Sequence, residues 1–432
     1  MKIYLVFVLL ILAIVGLNNI AQKNLKQRWN LWLGYGIPAL GMILFLWQTS
    51  KPPHYDWFND FLCYYSGGRL IIQNPSQLYI FGGNYGFVNI PIIAFLFTPF
   101  AAFNKRIAAI LFTILGLLAV IATCYLLVKL TKVPGWRRIA LIGLFVINGP
   151  VMHSLWYGNL SHFVPLLLIA ACFCLEKQRE VWLGMILAIA ALIKIPLFLL
   201  GVYFALRRRW RVTGGFVTGL LVIGGASLLL CGVNLNLAWW NHIKQFSGQV
   251  VGAYNVQSVD SFLARLLYDT NGNLRNWDFI EVGWHFKVIR YALLSLLVGT
   301  SIWVCWRSKP PTTLAQENLE FSIVLCLALL ISPISWTHYY LFLLLPFGLY
   351  LGNFLAVPQG RLWAVSMAVS ILLTSLPVIT ASPVNPVLRF LYFRLLISHY
   401  FFGGVLLLGV LLAARWHTAK RSGLSPGKEL YC

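Results

Sequence analysis

Apolar stretches of bilayer-crossing or near-crossing length recur along almost all of this chain, near residues 3–20, 31–49, 107–128, 139–152, 161–175, 213–232, 286–306, 320–332, 338–354, 362–380 and 395–414. Inside hydrocarbon each backbone amide must find its partner within the segment, so such stretches fold as helices. The composition agrees: 59% of residues are hydrophobic and 10% charged, too few polar side chains to cover a soluble core of that size. Soluble enzymes, DNA-binding domains, coiled coils and disordered scaffolds are thereby excluded, and the expected class is an all-α polytopic membrane protein. No repeat of fixed period, linker, Walker loop or Rossmann glycine fingerprint is visible. The expectation is one integral membrane domain over residues 1–432.

The formal charge of +22 would suggest nucleic acid in a soluble chain, but here the cations cluster between apolar runs. Lys23, Lys26 and Arg28 form one cluster, Lys129, Lys132, Arg137 and Arg138 a second, Arg207, Arg208, Arg209 and Arg211 a third, and Arg415, Lys420, Arg421 and Lys428 a fourth. Placing them inside follows the positive-inside rule. No nucleic-acid partner is expected. The rule puts two long excursions, at 50–90 and 233–285, and the short loops 153–160 and 333–337 on the outer face of a cytoplasmic membrane, with the N-terminus outside and the C-terminus inside. Residues 3–20 read as a retained first helix, because a cationic stop follows them and a small-residue cleavage site does not. The eight cysteines are scattered, mostly within apolar runs, and suggest neither a disulfide nor a zinc framework.

The run at 181–206 is interrupted by Lys194-Ile195-Pro196 while both its flanks carry inside-type charges. Proline removes a backbone donor and clashes with the preceding turn, so a pair of half-length helices hinged at membrane depth is expected. With that pair the bundle has about 11–13 segments. A cation at the break is costly unless it faces a cavity or partner, or snorkels to the interface, and a lipid phosphate is a natural counter-ion.

Six acids fall on the outer face: Asp56, Asp60, Asp260, Asp269, Asp278 and Glu281. Asp56 and Asp60 precede a segment whose Phe58, Phe61, Leu62, Tyr65 and Leu70 could line an amphipathic helix lying in the interface, with Asp60 either poised at the lipid–water boundary or merely capping the helix. His338 sits at an outer helix mouth, Arg265 is either a surface cation or a fork for phosphate, and Asn159, Asn255 and Gln257 are hydroxyl readers or loop caps. The many tryptophans, Trp239, Trp240, Trp277 and Trp284 among them, suit an interfacial belt, with a minority able to stack on sugar rings. No spacing of hard-cation ligands is legible, and no metal is expected.

Read in order, DFLCYYSGGRLIIQNPSQLY, IPIIAFLFTPFAAF, WYGNLSH, GMILAIAALIKIPLFLLGVYFALRRRWR, NVQSVDSFLARL and SPISWTHYY resemble the polyprenol-phosphate-sugar-dependent glycosyltransferases of family 87. The likeness runs over about residues 56–345. It departs from the usual pattern at Gly158-Asn159-Leu160-Ser161, where many members carry Gly-Gln-x-Asn, and at Tyr339, where a second His commonly follows. The resemblance implies a GT-C-type bundle and an inverting transfer of one sugar, mannose first and arabinofuranose next, from a polyprenyl-phosphate donor to a hydroxyl of a glycolipid or glycan. It implies Asp60 as general base, Lys194, Arg265 and His338 at the donor phosphate, and Asp56, Asn159, His162, Asn255, Gln257 and Trp336 around sugar and acceptor. No cofactor beyond the lipid-linked sugar is implied. The rival class is a transporter or flippase of a lipid-linked saccharide or other amphiphile, which shares the broken helix and the midmembrane cation. It would ordinarily place an acid inside the membrane, and no Asp or Glu is expected within a confident span. A ligase or polymerase of lipid-linked glycans is a third reading.

Overall fold

The computed structural model describes residues 58–80, 86–268, 277–378 and 385–423. The expected helices at 3–20 and 31–49, the side on which the N-terminus lies, and the acids Asp56 and Asp269 fall outside the described residues. The described chain forms α1 (Asn59–Gln73), α2 (Pro91–Leu96), α3 (Thr98–Ala101), α4 (Lys105–Thr131), α5 (Gly135–Val146), α6 (Gly149–Tyr157), α7 (Val164–Glu176), α8 (Glu180–Ile193), α9 (Phe198–Leu206), α10 (Trp210–Cys231), α11 (Val233–Ser247), α12 (Val259–Leu267), α13 (Trp284–Arg307), α14 (Leu314–Ile331), α15 (Leu344–Leu351), α16 (Arg361–Ser375), α17 (Pro386–Arg394) and α18 (His399–Gly423). Tight 3₁₀ turns join several of them, at Leu160–Phe163, Ile195–Leu197, Thr337–Leu343 and Leu396–Ser398. Among the described residues, six segments are long and apolar enough to cross a bilayer: Lys105–Thr131, Gly135–Tyr157, Trp210–Cys231, Trp284–Arg307, Leu314–Ile331 and Pro386–Thr418. Five shorter apolar helices pack among them. The protein is an all-α, multi-pass membrane protein.

The Lys194–Pro196 break is present and has the expected shape. Helix α8 stops at Ile193, Lys194 is extended (φ −136°, ψ 99°), and the chain resumes through Ile195–Leu197 into α9. The Ile193 carbonyl freed at the break accepts from Asn89 Nδ2 at 3.3 Å, which is what irregular backbone among apolar helices requires. The two feet of the hairpin meet, because Arg209 Nε donates to Glu180 at 2.7 Å. Lys194 is therefore the tip of a re-entrant loop. The 13 residues of α7 run down to the 177–179 turn and the 14 of α8 run back, so Lys194 returns to the level of Asn159, about 20 Å from the feet at 1.5 Å per residue.

The feet are fastened by charge. Arg209 also reaches Glu317 at 2.6 Å. Glu320, wholly buried, accepts from Arg207, from Arg415 Nε at 2.7 Å and from the Tyr203 hydroxyl at 2.8 Å, tying α9, α14 and α18 together. This corrects the expectation that spans hold no acid: Glu317 and Glu320 lie in the first turns of the Leu314–Ile331 span. Each is matched by arginine, as the buried Glu320 must be. Trp182, Trp210 and Trp306 are exposed around the same end, an interfacial belt.

Helices α8 and α10 touch backbone to backbone. A Cβ on Gly184 would stand 2.0 Å from the Val212 carbonyl oxygen, and one on Gly215 would stand 2.2 Å from that of Val181. Small residues permit such close approach in membranes. Gly184→Ala is expected to prise the helices apart at a cost of about 1–3 kcal/mol, read as a lowered midpoint of thermal unfolding in detergent; an unchanged midpoint would mean that the contact is loose.

Two expectations change in the first half. The apolar run at 139–152 is not one helix, because Asn148 accepts from Val151 N at 3.1 Å and restarts the chain as α6, with Pro150 in its first turn. Nor does α1 lay its apolar face in the lipid interface. Phe58, Phe61 and Tyr65 are buried, and Phe61 packs on Phe100 and Phe112, with Tyr64 stacked on Phe97 at 5.0 Å.

Candidate active site

Three chain segments deliver polar side chains to the tip of the hairpin. The first is the start of α1, where Phe58 takes a left-handed conformation (φ 62°). A phenylalanine adopts that geometry only under constraint. Its N–H donates to the Trp156 carbonyl at 3.1 Å while its ring is buried among Phe61 and Phe112. Phe58 caps the helix by position without a side-chain bond, so Asp60 is not the cap; it points elsewhere.

The second segment follows α6. Gly158 (φ 65°) ends that helix, with its N–H on the Leu155 carbonyl and Asn159 N–H on that of Ser154, the left-handed close that favours glycine. A Cβ there would also stand 2.7 Å from Phe61 Cβ, so α1 and this turn are fitted to each other. Asn159 then caps the 3₁₀ turn, its Oδ1 accepting from Ser161 N at 2.8 Å.

The same carboxamide joins the other polar groups. Asn159 Nδ2 donates to Asp60 Oδ2 at 2.5 Å, and Asn159 Oδ1 accepts from Lys194 Nζ at 3.1 Å. Lys194 is buried, and its ammonium lies over the Tyr339 ring, 4.6 Å from the centroid, a cation–π contact. Burial raises the Asp60 carboxyl above its ordinary range, while the Asn159 hydrogen bond and the Lys194 charge draw it back.

The third segment is the turn at Thr337–Leu343. It brings His338, which is buried, leaves Nε2 without a protein partner, and lies within electrostatic reach of Lys194, His153 and His162. Its ring is parallel to that of Trp336, with centroids 6.3 Å apart. Behind it His153 Nδ1 is 3.0 Å from Thr337 Oγ1, and His162 Nδ1 is 3.0 Å from Ser154 Oγ. A carboxylate and an ammonium held by one amide, with imidazoles beside them, can take a proton from a hydroxyl and meet negative charge. Among the described residues no group of three or more His, Cys, Asp or Glu converges on a metal position.

Residues 87–333, more than half of the chain, match the model of glycosyltransferase family 87. The chain belongs to glycosyltransferase family 87. It is also 25% identical, over 73% of its length and 74% of the relative's, to the polyprenol-phosphate-mannose-dependent alpha-(1-2)-phosphatidylinositol mannoside mannosyltransferase of Mycobacterium tuberculosis. The protein of that name in Mycolicibacterium smegmatis is 23% identical over 64% of each chain. A polyprenol-phosphate-mannose-dependent alpha-(1-2)-phosphatidylinositol pentamannoside mannosyltransferase of the same organism is 25% identical over 65% of this chain and 66% of its own. The chain thus spans between about two thirds and three quarters of these relatives' length. Asn159 and Lys194 lie inside the stretch matched by the family model, whereas Asp60 and His338 lie outside it.

In this family-87 glycosyltransferase, Asp60, Asn159, Lys194 and His338 come together, with His162 behind them. Other expected residues stand apart. Arg265 is buried in α12, with Nε and Nη2 donating to Ser398 Oγ and Nη1 to the carbonyls of Gly252, Ala253 and Val256; its fork is spent on a serine hydroxyl and on backbone, so the phosphate role expected of it gives way to that of a staple. Gln257, wholly buried, donates to the carbonyls of Tyr254 and Ile397 and is likewise structural, in place of reading sugar hydroxyls. Asn255 Oδ1 accepts from Trp277 Nε1 at 2.9 Å, and the Asn255 carbonyl accepts from Thr337 N at 2.8 Å, so it braces the turn that bears His338. Asp260 pairs with Arg290 at 2.8 Å, its carboxyl lifted by burial to about 6. Tyr339, Tyr64 and His153 belong to the site although nothing in the sequence singles them out as site residues; Tyr339 stands out there only as a departure from the family pattern.

Proposed function

We propose that this glycosyltransferase moves mannose from a polyprenyl-phosphate donor to a hydroxyl of a mannosylated phosphoinositide or similar glycolipid at the outer face of the membrane, with inversion at the anomeric carbon. The observation that carries this reading is the junction of Asp60 and Lys194 through Asn159 at the tip of the re-entrant hairpin. The donor class, the sugar and the acceptor class follow the names of the mycobacterial relatives. The outer face follows from the basic excess at the hairpin's feet.

Asp60 takes the proton of the acceptor hydroxyl as its oxygen attacks the anomeric carbon, and the C–O bond to phosphate breaks on the opposite side of the ring. The polyprenyl phosphate leaves with the bonding pair. The Lys194 ammonium meets the charge that develops on it and the His338 imidazole, whose Nε2 has no protein partner, can hydrogen-bond it, both preorganised at no cost during the step. One ammonium and this hydrogen bond serve that role, and the reading needs no metal.

Incubation of the protein in lipid nanodiscs with short-chain polyprenyl-phosphate mannose and an extract containing phosphatidylinositol mannosides tests the proposal. A mass gain of one hexose in an acceptor lipid is expected. No gain with this donor, or a gain with the arabinofuranosyl donor or nucleotide-mannose instead, would contradict it.

The pH dependence follows from the raised Asp60 carboxyl. The protonated base is inactive, so kcat/KM should fall as pH drops through a midpoint above the ordinary Asp value near 3.9. A flat profile down to that value would show that Asp60 does not titrate in the rate.

A further inference from the structure

Asn159 faces two ways. A carboxylate can only accept and an ammonium can only donate, so the bond to Asp60 must come from the amide nitrogen and the bond from Lys194 must end on the amide oxygen, as the distances of 2.5 Å and 3.1 Å have it. The amide is itself immobilised. Its oxygen also accepts from Ser161 N at 2.8 Å and Ser161 Oγ at 2.6 Å, and Gly158 before it admits no side chain against Phe61. Asn159 is buried, held on three sides by its own turn, by α1 and by the hairpin tip.

We propose that Asn159 is the positioning residue of the transferase centre: one amide that fixes the Asp60 carboxylate towards the acceptor and the Lys194 ammonium towards the leaving phosphate, so that base and cation act in one register. The inference rests on the reading of Asp60 as base and assigns Asn159 to orienting protein groups in place of reading sugar hydroxyls. The groups facing Asp60 are Cys63 and Tyr64 from its own helix, Lys194 from the hairpin tip and Tyr339 from the third segment. Asn159 is the side chain that hydrogen-bonds the carboxylate among the described contacts.

Asn159→Ala and Asn159→Leu delete both ends of the amide, the second with its bulk retained, and Ser161→Ala deletes one bond to the amide that touches neither Asp60 nor Lys194, while the Ser161 N–H still holds the amide in place. In Asn159→Ala and Asn159→Leu the acidic limb of kcat/KM should move up by about one pH unit or more, a tenfold change in the protonation equilibrium, with kcat falling more than KM rises. Ser161→Ala should leave the limb in place. A second readout needs no turnover: pH titration by infrared spectroscopy of the carboxyl band that Asp60→Asn removes should show the same upward shift. Equal limbs in wild type and both Asn159 variants, or an equal shift in Ser161→Ala, would overturn the proposal. An infrared shift in a protein that transfers no sugar would sustain the positioning role and overturn the donor assignment instead.

Discussion

Asp60→Asn is expected to lower turnover by about 10²–10⁴-fold, the usual contribution of a positioned base, while the protein unfolds at its wild-type temperature. The two outcomes separate because Asn is nearly isosteric with Asp and can still accept from Asn159 Nδ2, and because Asp60 is neither the cap of α1 nor part of its aromatic packing. What the substitution removes is an acceptor basic enough to take a proton. Lys194 would then stand without its opposite charge across the amide, so donor binding should persist or tighten. The check is kcat and KM in nanodiscs beside a melting curve; turnover within a few-fold of wild type would transfer the base to another carboxylate, with Asp56 next in line.

Glu320→Gln should be among the most destabilising single substitutions, at about 3–5 kcal/mol, because it leaves partners of a buried ion pair without a counter-charge. Arg207 and Arg415 both converge on this carboxylate, and neither Glu320 nor Arg415 has access to water. The amide has one acceptor oxygen where the carboxylate has two, and Tyr203 also competes for it. The hairpin would loosen at its feet, about 20 Å from Lys194. Thermal unfolding in detergent measures the effect. A triple change of Glu320, Arg207 and Arg415 to apolar residues of similar volume should recover much of the loss; failure of Glu320→Gln to lower the midpoint would show that water or lipid headgroups already screen the network.

Helical class, most spans and the broken hairpin were legible because each rests on a local rule: apolar runs of bilayer length, and a proline that cannot continue a helix. Asp60, Lys194, Asn159 and His338 were legible as members of ordered motifs. Their mutual distances were not, since the 13-residue descent of α7 and 14-residue return of α8 that align Lys194 with Asn159 show only once the feet at Glu180 and Arg209 are seen to close on each other. Arg265 departs from its expected place for a physical reason: a cation in a polar motif reads as a phosphate ligand, but a guanidinium can equally satisfy a hydroxyl and several carbonyls of an irregular loop, and sequence does not record which of them converge. Glu320 was hidden differently. It opens an apolar run in sequence, but its compensating arginines come from α18 and from beyond the end of α9. The burial of α1 is not legible in the sequence because its partners, Phe97, Phe100 and Phe112, follow it by some 30 to 50 positions.

One displacement on Asp60's side of the sugar is the core of the proposed mechanism, and the anomeric configuration of the product tests it most directly. With a β-linked mannosyl phosphate of a short polyprenol as donor, proton–carbon coupling at the anomeric centre of the isolated product should report an α-linked mannose. A β-linked product would require two displacements and a nucleophile on the enzyme, and would contradict the roles of Asp60 as base, Asn159 as positioning residue and Lys194 as phosphate cation.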